Sequence, residues 1–373
     1  MTSVAMSPPL VLRAATDADN AALVALTAAC TMRGDIALRM DRAPDFFALT
    51  RLEGDETRIG IVAGEDGQVV GCVAASRRHA YVNGSSETIC YVSDLKVHPS
   101  ARGSGVADLL TAYARDASGE LAGMDAPCVL TILGGNTLME RRARGPRGMP
   151  ALSRFATLSV VAIPLLWERR ERPLGVTVRS ATVDDLDEMA ALWNGRAPVR
   201  QLAGVFDVGQ LALWIADAPG LTLHDYLLAV DGTGRVVGFV GVWDQTAFKQ
   251  MRVVSYSPRL SLVRRGINLI APLTGAPALP EPGGALPVLA TVHLCAGDPA
   301  VLRALILEAY RRHRGGRFAF ITVGLDVADP LLDATRGLFG QPTIVHAYVS
   351  SARGIGDPQR LRGLPLHHET ALV

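Results

Sequence analysis

The stretch Asp94-Leu95-Lys96-Val97-His98-Pro99-Ser100-Ala101-Arg102-Gly103-Ser104-Gly105-Val106-Ala107 decides how this chain folds. Ile89 to Val97 is dominated by β-formers and stops before Pro99. After Gly105, the residues Val106, Leu109, Leu110, Tyr113 and Ala117 fall at i, i+3, i+4, i+7 and i+11. That spacing makes one apolar helix face, so the stretch reads as strand, tight loop, helix. Glycines at 103 and 105 let main-chain N–H groups turn toward a common point without side chains in the way. Together with the positive end of the helix dipole they predict an anion site suited to a pyrophosphate.

Working outward, the chain repeats itself. Leu12-Arg13-Ala14-Ala15-Thr16-Asp17-Ala18-Asp19 reappears as Val178-Arg179-Ser180-Ala181-Thr182-Val183-Asp184-Asp185. Each copy is a β-prone start, a threonine suited to a helix N-cap, acidic residues in the first turn and then helical apolar spacing. Gly67-Gln68-Val69-Val70-Gly71-Cys72-Val73 is likewise echoed by Gly234-Arg235-Val236-Val237-Gly238-Phe239-Val240. Two echoes in the same order and at matching spacing predict two similar folded units. The length agrees, since 373 residues exceed the size at which single cores stop growing, about 250–300. The charged, then proline- and glycine-broken run Trp167 to Gly175 predicts the boundary, giving units 1–172 and 173–350 and a loosely ordered tail 351–373.

Residues 8 to 165 resemble the GNAT acyltransferase superfamily. The family loop reads (Gln/Arg)-x-x-Gly-x-(Gly/Ala), which Arg102-Gly103-Ser104-Gly105-Val106-Ala107 matches at every specified position. The preceding Asp94 to Pro99 and the downstream strand Cys128 to Leu133 fit as well. The resemblance implies a mixed α/β fold, with two tandem copies here. It implies that pantetheine lies in a wedge between Val92–Val97 and Cys128–Leu133, its thioester carbonyl near Leu95, Lys96 and Val97. The N–H of Val97 is then the natural donor to the oxyanion, and Arg102, Gly103, Ser104, Gly105, Val106 and Ala107 hold the diphosphate. Asn136 matches a residue that helps to hold the pantetheine arm. Seven residues on, where many members carry a tyrosine acid, this chain has Ala143.

Acylating an amine requires a group that takes up its proton. Asp94, on the strand entering the loop, is the leading candidate, with His98 next. The donor is acyl-coenzyme A or the phosphopantetheine arm of an acyl carrier protein. Arg141, Arg142, Arg144 and Arg147 form a basic cluster suited to a nucleotide phosphate or an acidic carrier surface. The acceptor is expected to be a small-molecule amine, and no metal is called for. A non-catalytic acyl-thioester sensor or scaffold is the competing reading.

In the second copy, Leu289 to Cys295 takes the place of the strand before the loop and Val301 to Tyr310 that of the helix. Phe318 to Val323 takes the place of the next strand, and Asp326 to Leu338 of the helix after it. The intervening Ala296-Gly297-Asp298-Pro299 has one glycine, no arginine and an aspartate where a pyrophosphate would sit, so this half is expected to be degenerate and to serve acceptor binding or support. His293, Cys295 and Trp243 are expected to be packing residues before pocket residues. Tyr256 to Leu286, rich in proline and glycine, reads as a long loop or lid. A net charge of only +1 argues against nucleic acid or membrane as partner. Five scattered cysteines without CxxC spacing and the lack of a signal-like start predict a cytoplasmic protein.

Overall fold

The computed structural model describes residues 10–32, 34, 36–64, 67–145, 151–169, 171, 175–354, 361 and 363–373. The first repeat contains β1 (Val11–Ala14), α1 (Asn20–Ala29), β2 (Thr31–Met32), β3 (Ile36–Asp41), α2 (Phe47–Thr50), β4 (Glu56–Ala63) and β5 (Val69–Val82). It continues with β6 (Ser85–Val97), α3 (Val106–Ala122), β7 (Cys128–Leu133), α4 (Thr137–Arg142) and β8 (Ser153–Pro164). The second contains β9 (Val176–Ser180), α5 (Leu186–Arg196), α6 (Val208–Asp217), β10 (Tyr226–Asp231), β11 (Val236–Trp243) and β12 (Gln250–Tyr256). After these come α7 (Pro258–Thr274), β13 (Val288–Ala296), α8 (Pro299–His313), β14 (Phe320–Asp326) and β15 (Gln341–Ser350).

The sequence echoes are structural ones. Arg13 grips Asp19 with two hydrogen bonds of 2.8 and 2.6 Å, and Arg179 grips Asp185 at 2.7 and 2.6 Å. In both copies the same carboxylate accepts the N–H of the capping threonine, Thr16 or Thr182, at 2.8 Å. The echoed glycines also share a purpose. A Cβ on Gly71 would lie 2.6 Å from Val106 Cγ1, and one on Gly238 would lie 2.7 Å from Val301 Cγ1. Each glycine therefore lets its loop helix, α3 or α8, close down on the sheet.

Twelve strands form one mixed sheet in the order β1-β4-β5-β6-β7-β15-β8-β14-β13-β11-β10-β9. Read backward, the order exchanges every strand with its repeat counterpart, β1 with β9 through β8 with β15. The two halves are thus related by a pseudo-twofold between β15 and β8, which pair antiparallel from Gln341↔Ala162 to Val349↔Ser153. Each half lends its last strand to the other: β15 pairs with β7, and β8 pairs with β14. The expected boundary at 172/173 lies outside the described residues, and one sheet runs across both repeats. Helix α3 packs through Val106, Leu110 and Ala114 on one face of the first half, and α1 packs through Leu23 and Leu26 on the other.

A fragment ending at Arg172 is therefore expected to aggregate and to lose donor binding. It leaves β7 without β15 and strips β8 of both neighbours, exposing long apolar edges. Light scattering of residues 1–172 checks this, and a monomeric fragment that binds coenzyme A would show the second half to be dispensable.

Three expectations change. Tyr256 to Leu286 is not a long loop: Ser257 caps α7, Pro258 opens it and Gly275 closes it at a left-handed φ of 68°. The tail is not loose at its end, since Leu366, Ala371 and Leu372 are buried between the halves. The segment after β14 forms a 3-10 turn at Pro330–Thr335 rather than a full helix.

Candidate active site

Strands β6 and β7 run parallel and pair only at Cys90↔Cys128, Tyr91↔Val129 and Val92↔Leu130. Beyond Val92 they splay, and Ser93 to Val97 and Thr131 to Leu133 become the walls of a wedge. The N–H of His98 donates to Val70 O on the β5 side at 2.8 Å. Because successive strand N–H groups point to opposite edges, that of Val97 is directed toward the wedge.

The wedge runs into the loop. Gly103 and Gly105 both adopt a φ of 88°, and a Cβ at either would meet no atom within 4 Å. Their role is conformational, placing Gly105 at the N-cap of the 17-residue helix α3 with its first-turn N–H groups turned outward. Arg102 and Ser104 are exposed, Val106 is buried under the helix, and Ala107 stands in the first turn. His98 serves the turn, its Nδ1 lying 2.7 Å from Ser100 Oγ. Asn136 caps α4, accepting the N–H of Met139 at 3.3 Å. Arg142 pairs with Asp108 on α3, Arg141 and Arg144 are exposed, and Arg147 lies outside the described residues. Beneath α4 a cavity of about 330 Å³ is lined by Glu140, Arg144, Arg154, His346 and Tyr348, so strand β15 of the second half helps to form it.

On the α1 side of β6 a bulge opposite Cys72 and Ala74 puts Asp94 at a φ of 53°. The bulge breaks strand alternation, so that Ser93, Asp94 and Lys96 reach the charged groups of that side while Leu95 and Val97 pack toward α3. Asp94 is clasped by Lys96 and by the buried Arg42, whose Nη2 also donates to Phe46 O at 2.6 Å. Burial pushes the Asp94 carboxyl up, but the Arg42 and Lys96 charges outweigh it and hold it well below the usual carboxylate range. The reading of Asp94 as proton acceptor meets a physical obstacle, because a carboxylate so claimed is a weak base.

The carboxylate with base character is Glu53, which sequence reasoning missed. It is buried on the turn after α2, and its Oε2 accepts Ser93 Oγ at 2.6 Å and Ser76 Oγ at 3.3 Å. Burial raises its pKa above the ordinary range, against the nearby Arg78 charge. Lys249 enters from the second half and donates to the carbonyls of Ala371 (2.9 Å) and Val373. Burial and the charge of Arg42 bring its amine down to about 7.

The second half repeats the wedge and fills it. Strands β13 and β14 pair only from Val288↔Phe320 to Ala290↔Thr322. His293 occupies the matching bulge at a φ of 49°, but its N–H is taken by the Glu369 carboxylate at 3.1 and 3.2 Å. Thr370 packs so closely on Gly324 that a Cβ there would lie 2.3 Å from Thr370 Cγ2. Burial lowers His293 to about 4, and its neutral ring sits among Trp193, Phe206, Trp214 and Tyr226. At the loop, Asp298 caps α8 by accepting the N–H of Ala300 at 2.6 Å, and the Arg196 guanidinium lies against Gly297. His293, Cys295 and Trp243 are core residues.

Residues 56–144 match the family model of the acetyltransferase (GNAT) domain. No curated protein sequence matches the chain. Among solved structures, a GCN5-related N-acetyltransferase from Sphaerobacter thermophilus is similar at a TM-score of 0.57 and 17% identity, over 94% of this chain and 99% of that one. Saccharomyces cerevisiae N-myristoyltransferase with bound myristoyl-CoA is similar at a TM-score of 0.62 and 11% identity, over 98% and 91%. A probable N-acyltransferase from Enterococcus faecalis V583 is similar at 0.52 and 11%, over 92% and 73%. At these identities the likeness is one of fold.

Proposed function

We propose that this chain, whose residues 56–144 match the acetyltransferase (GNAT) domain model, is an acyltransferase of that superfamily and moves an acyl group from a pantetheine thioester to an amine of a small-molecule acceptor, in the first half only. One observation carries this reading. The β6/β7 wedge leads into an outward-turned glycine loop, whereas its pseudo-symmetric counterpart is stopped by Glu369 and Thr370 and its loop by Asp298 and Arg196.

In the reaction so read, first-turn N–H groups from Gly105 to Ala107 hold the donor's diphosphate, with Arg102, Gly103 and Ser104 beside it. Leu95, Lys96 and Val97 border the thioester, and the Val97 N–H stabilises the oxyanion. The acceptor nitrogen bonds to the carbonyl carbon as the carbon–sulfur bond breaks. Its proton passes to Glu53 by way of Ser93, and the thiolate leaves and is protonated by solvent. Asp94, fixed by Arg42 and Lys96, positions the acceptor rather than taking its proton. Asn136, already committed to capping, supports the pantetheine arm by fixing the start of α4. Acyl-coenzyme A is the donor we favour. The exposed Arg141 and Arg144 also suit the acidic surface of a carrier protein, and the five free cysteines suit a cytoplasmic setting.

The test is acetyl-coenzyme A turnover against a panel of primary amines, followed as free thiol. Thiol release that depends on the amine is expected. Tight binding of coenzyme A with no release above background hydrolysis would favour the sensor reading, which Ala143 in the usual place of the tyrosine acid supports.

A further inference from the structure

Helix α7 turns three of its leucines outward. Leu262, Leu269 and Leu273 fall at i, i+7 and i+11, within about 40° of one another around the helix axis. They are 67%, 80% and 87% exposed, and Val263 beside them is 47% exposed. The opposite face is fastened to the chain returning from the helix. Asn268 exchanges hydrogen bonds with Leu279 at 3.0 and 2.7 Å, Arg264 pairs with Glu281 and lies over the Tyr256 ring, and Ala271 is buried. The helix is thus held by the face that also carries Leu260, Ile267 and Ala271, and presents a separate leucine stripe to solvent.

The charge around the stripe has one sign. From Pro258 to Pro280 there is no aspartate or glutamate, and the exposed Arg259 and Arg265 flank the leucines. At 17 residues, with three arginines and Pro272 inside, α7 is too short and too polar to cross a bilayer, and no helix among the described residues is long and apolar enough to do so. A helix with a leucine face bordered only by arginines suits the headgroup boundary of an anionic membrane.

We propose that α7 is a membrane-surface helix, which seats Leu262, Leu269 and Leu273 in the acyl boundary of an anionic bilayer with Arg259 and Arg265 on lipid phosphates. This departs from the expectation of no membrane partner. That expectation rests on the net charge of the whole chain, which averages out an acid-free segment of 23 residues. The surface is linked to the site through one strand pair: α7 follows β12, whose Tyr256 end meets Ile36, and β3 runs from there to Arg42 beside Asp94.

The experiment is flotation of the full chain with vesicles of phosphatidylcholine alone and of phosphatidylcholine with about a third phosphatidylglycerol. Each basic residue near an anionic surface is worth about fivefold in binding. Anionic vesicles are therefore expected to hold the protein at least tenfold better, with the difference lost at high salt. The triple variant Leu262→Ser, Leu269→Ser, Leu273→Ser is expected to lose tenfold or more. Arg259→Gln with Arg265→Gln is expected to erase the preference for anionic lipid. Coenzyme A affinity and melting temperature, measured on the same samples, confirm that the variants fold. Failure of the wild type to float would overturn the proposal. So would flotation unchanged in the folded triple variant, or a dimer in lipid-free solution that the triple variant turns into a monomer, which would assign the stripe to a second copy of the chain.

Discussion

Gly105→Glu is expected to lower coenzyme A affinity by at least about 100-fold. A side chain at a φ of 88° costs roughly 1–2 kcal/mol of backbone strain. A carboxylate about 5 Å from the diphosphate adds roughly 3 kcal/mol of repulsion at an effective dielectric near 20. Since a Cβ at 105 meets no atom within 4 Å, the change disturbs no packing, and the melting temperature should fall only by the few degrees that the backbone strain accounts for. Gly105→Ala, with strain alone, should lose about tenfold. Titration calorimetry separates the two variants, and an unchanged affinity in Gly105→Glu would remove the loop from the donor site.

Glu53→Gln is expected to lower kcat by about 10²–10⁴-fold with little change in donor affinity, the usual cost of a lost general base. The glutamine keeps an oxygen that Ser93 can donate to at the same place, so the geometry survives. Burial raises the pKa of Glu53 above the ordinary carboxylate range, so wild-type activity should fall as pH drops through that raised value, and the variant should lack this limb. The stability sign runs the other way from a salt-bridged acid. In the folded state Glu53 holds its proton to higher pH than in the unfolded chain, so its charge lowers stability as pH rises through the window between the two values. The amide removes that penalty, and Glu53→Gln should melt no lower than wild type at neutral pH. Asp94→Asn should instead raise the acceptor KM more than it lowers kcat, because Asp94 is held ionised by Arg42 and Lys96. A pH limb retained by Glu53→Gln and lost by Asp94→Asn would return the base to Asp94.

What could be read before folding was local. The strand-loop-helix at Asp94 to Ala107 and the echoes at Arg13/Arg179 and Gly71/Gly238 are patterns whose physics acts over a few residues, and the structure reproduces each of them. The exchange of β8 and β15 was not legible, because an apolar strand pattern says that a strand is paired and not with which neighbour. Helix α7 had its signals in Ser257, Pro258 and Gly275. They were hidden by an outward leucine stripe that does not resemble the buried face of an ordinary helix. Glu53 belongs to no motif. It becomes a candidate only when the turn after α2 closes over Ser76 and Ser93 and removes its carboxylate from water. The tail misled for a related reason: Glu369 and Thr370 look like solvent-facing polar residues until the β13/β14 wedge supplies an N–H and a glycine to receive them.

The most direct test of the account is a crystal structure of the full chain with acetyl-coenzyme A. The account predicts one bound molecule, with its diphosphate over the N–H groups of Gly105 to Ala107, its pantetheine between Ser93–Val97 and Thr131–Leu133, and its thioester oxygen within hydrogen-bonding distance of the Val97 nitrogen. Coenzyme A seated at the Gly297–Asp298 loop, with Glu369 and Thr370 displaced from the second wedge, would contradict it.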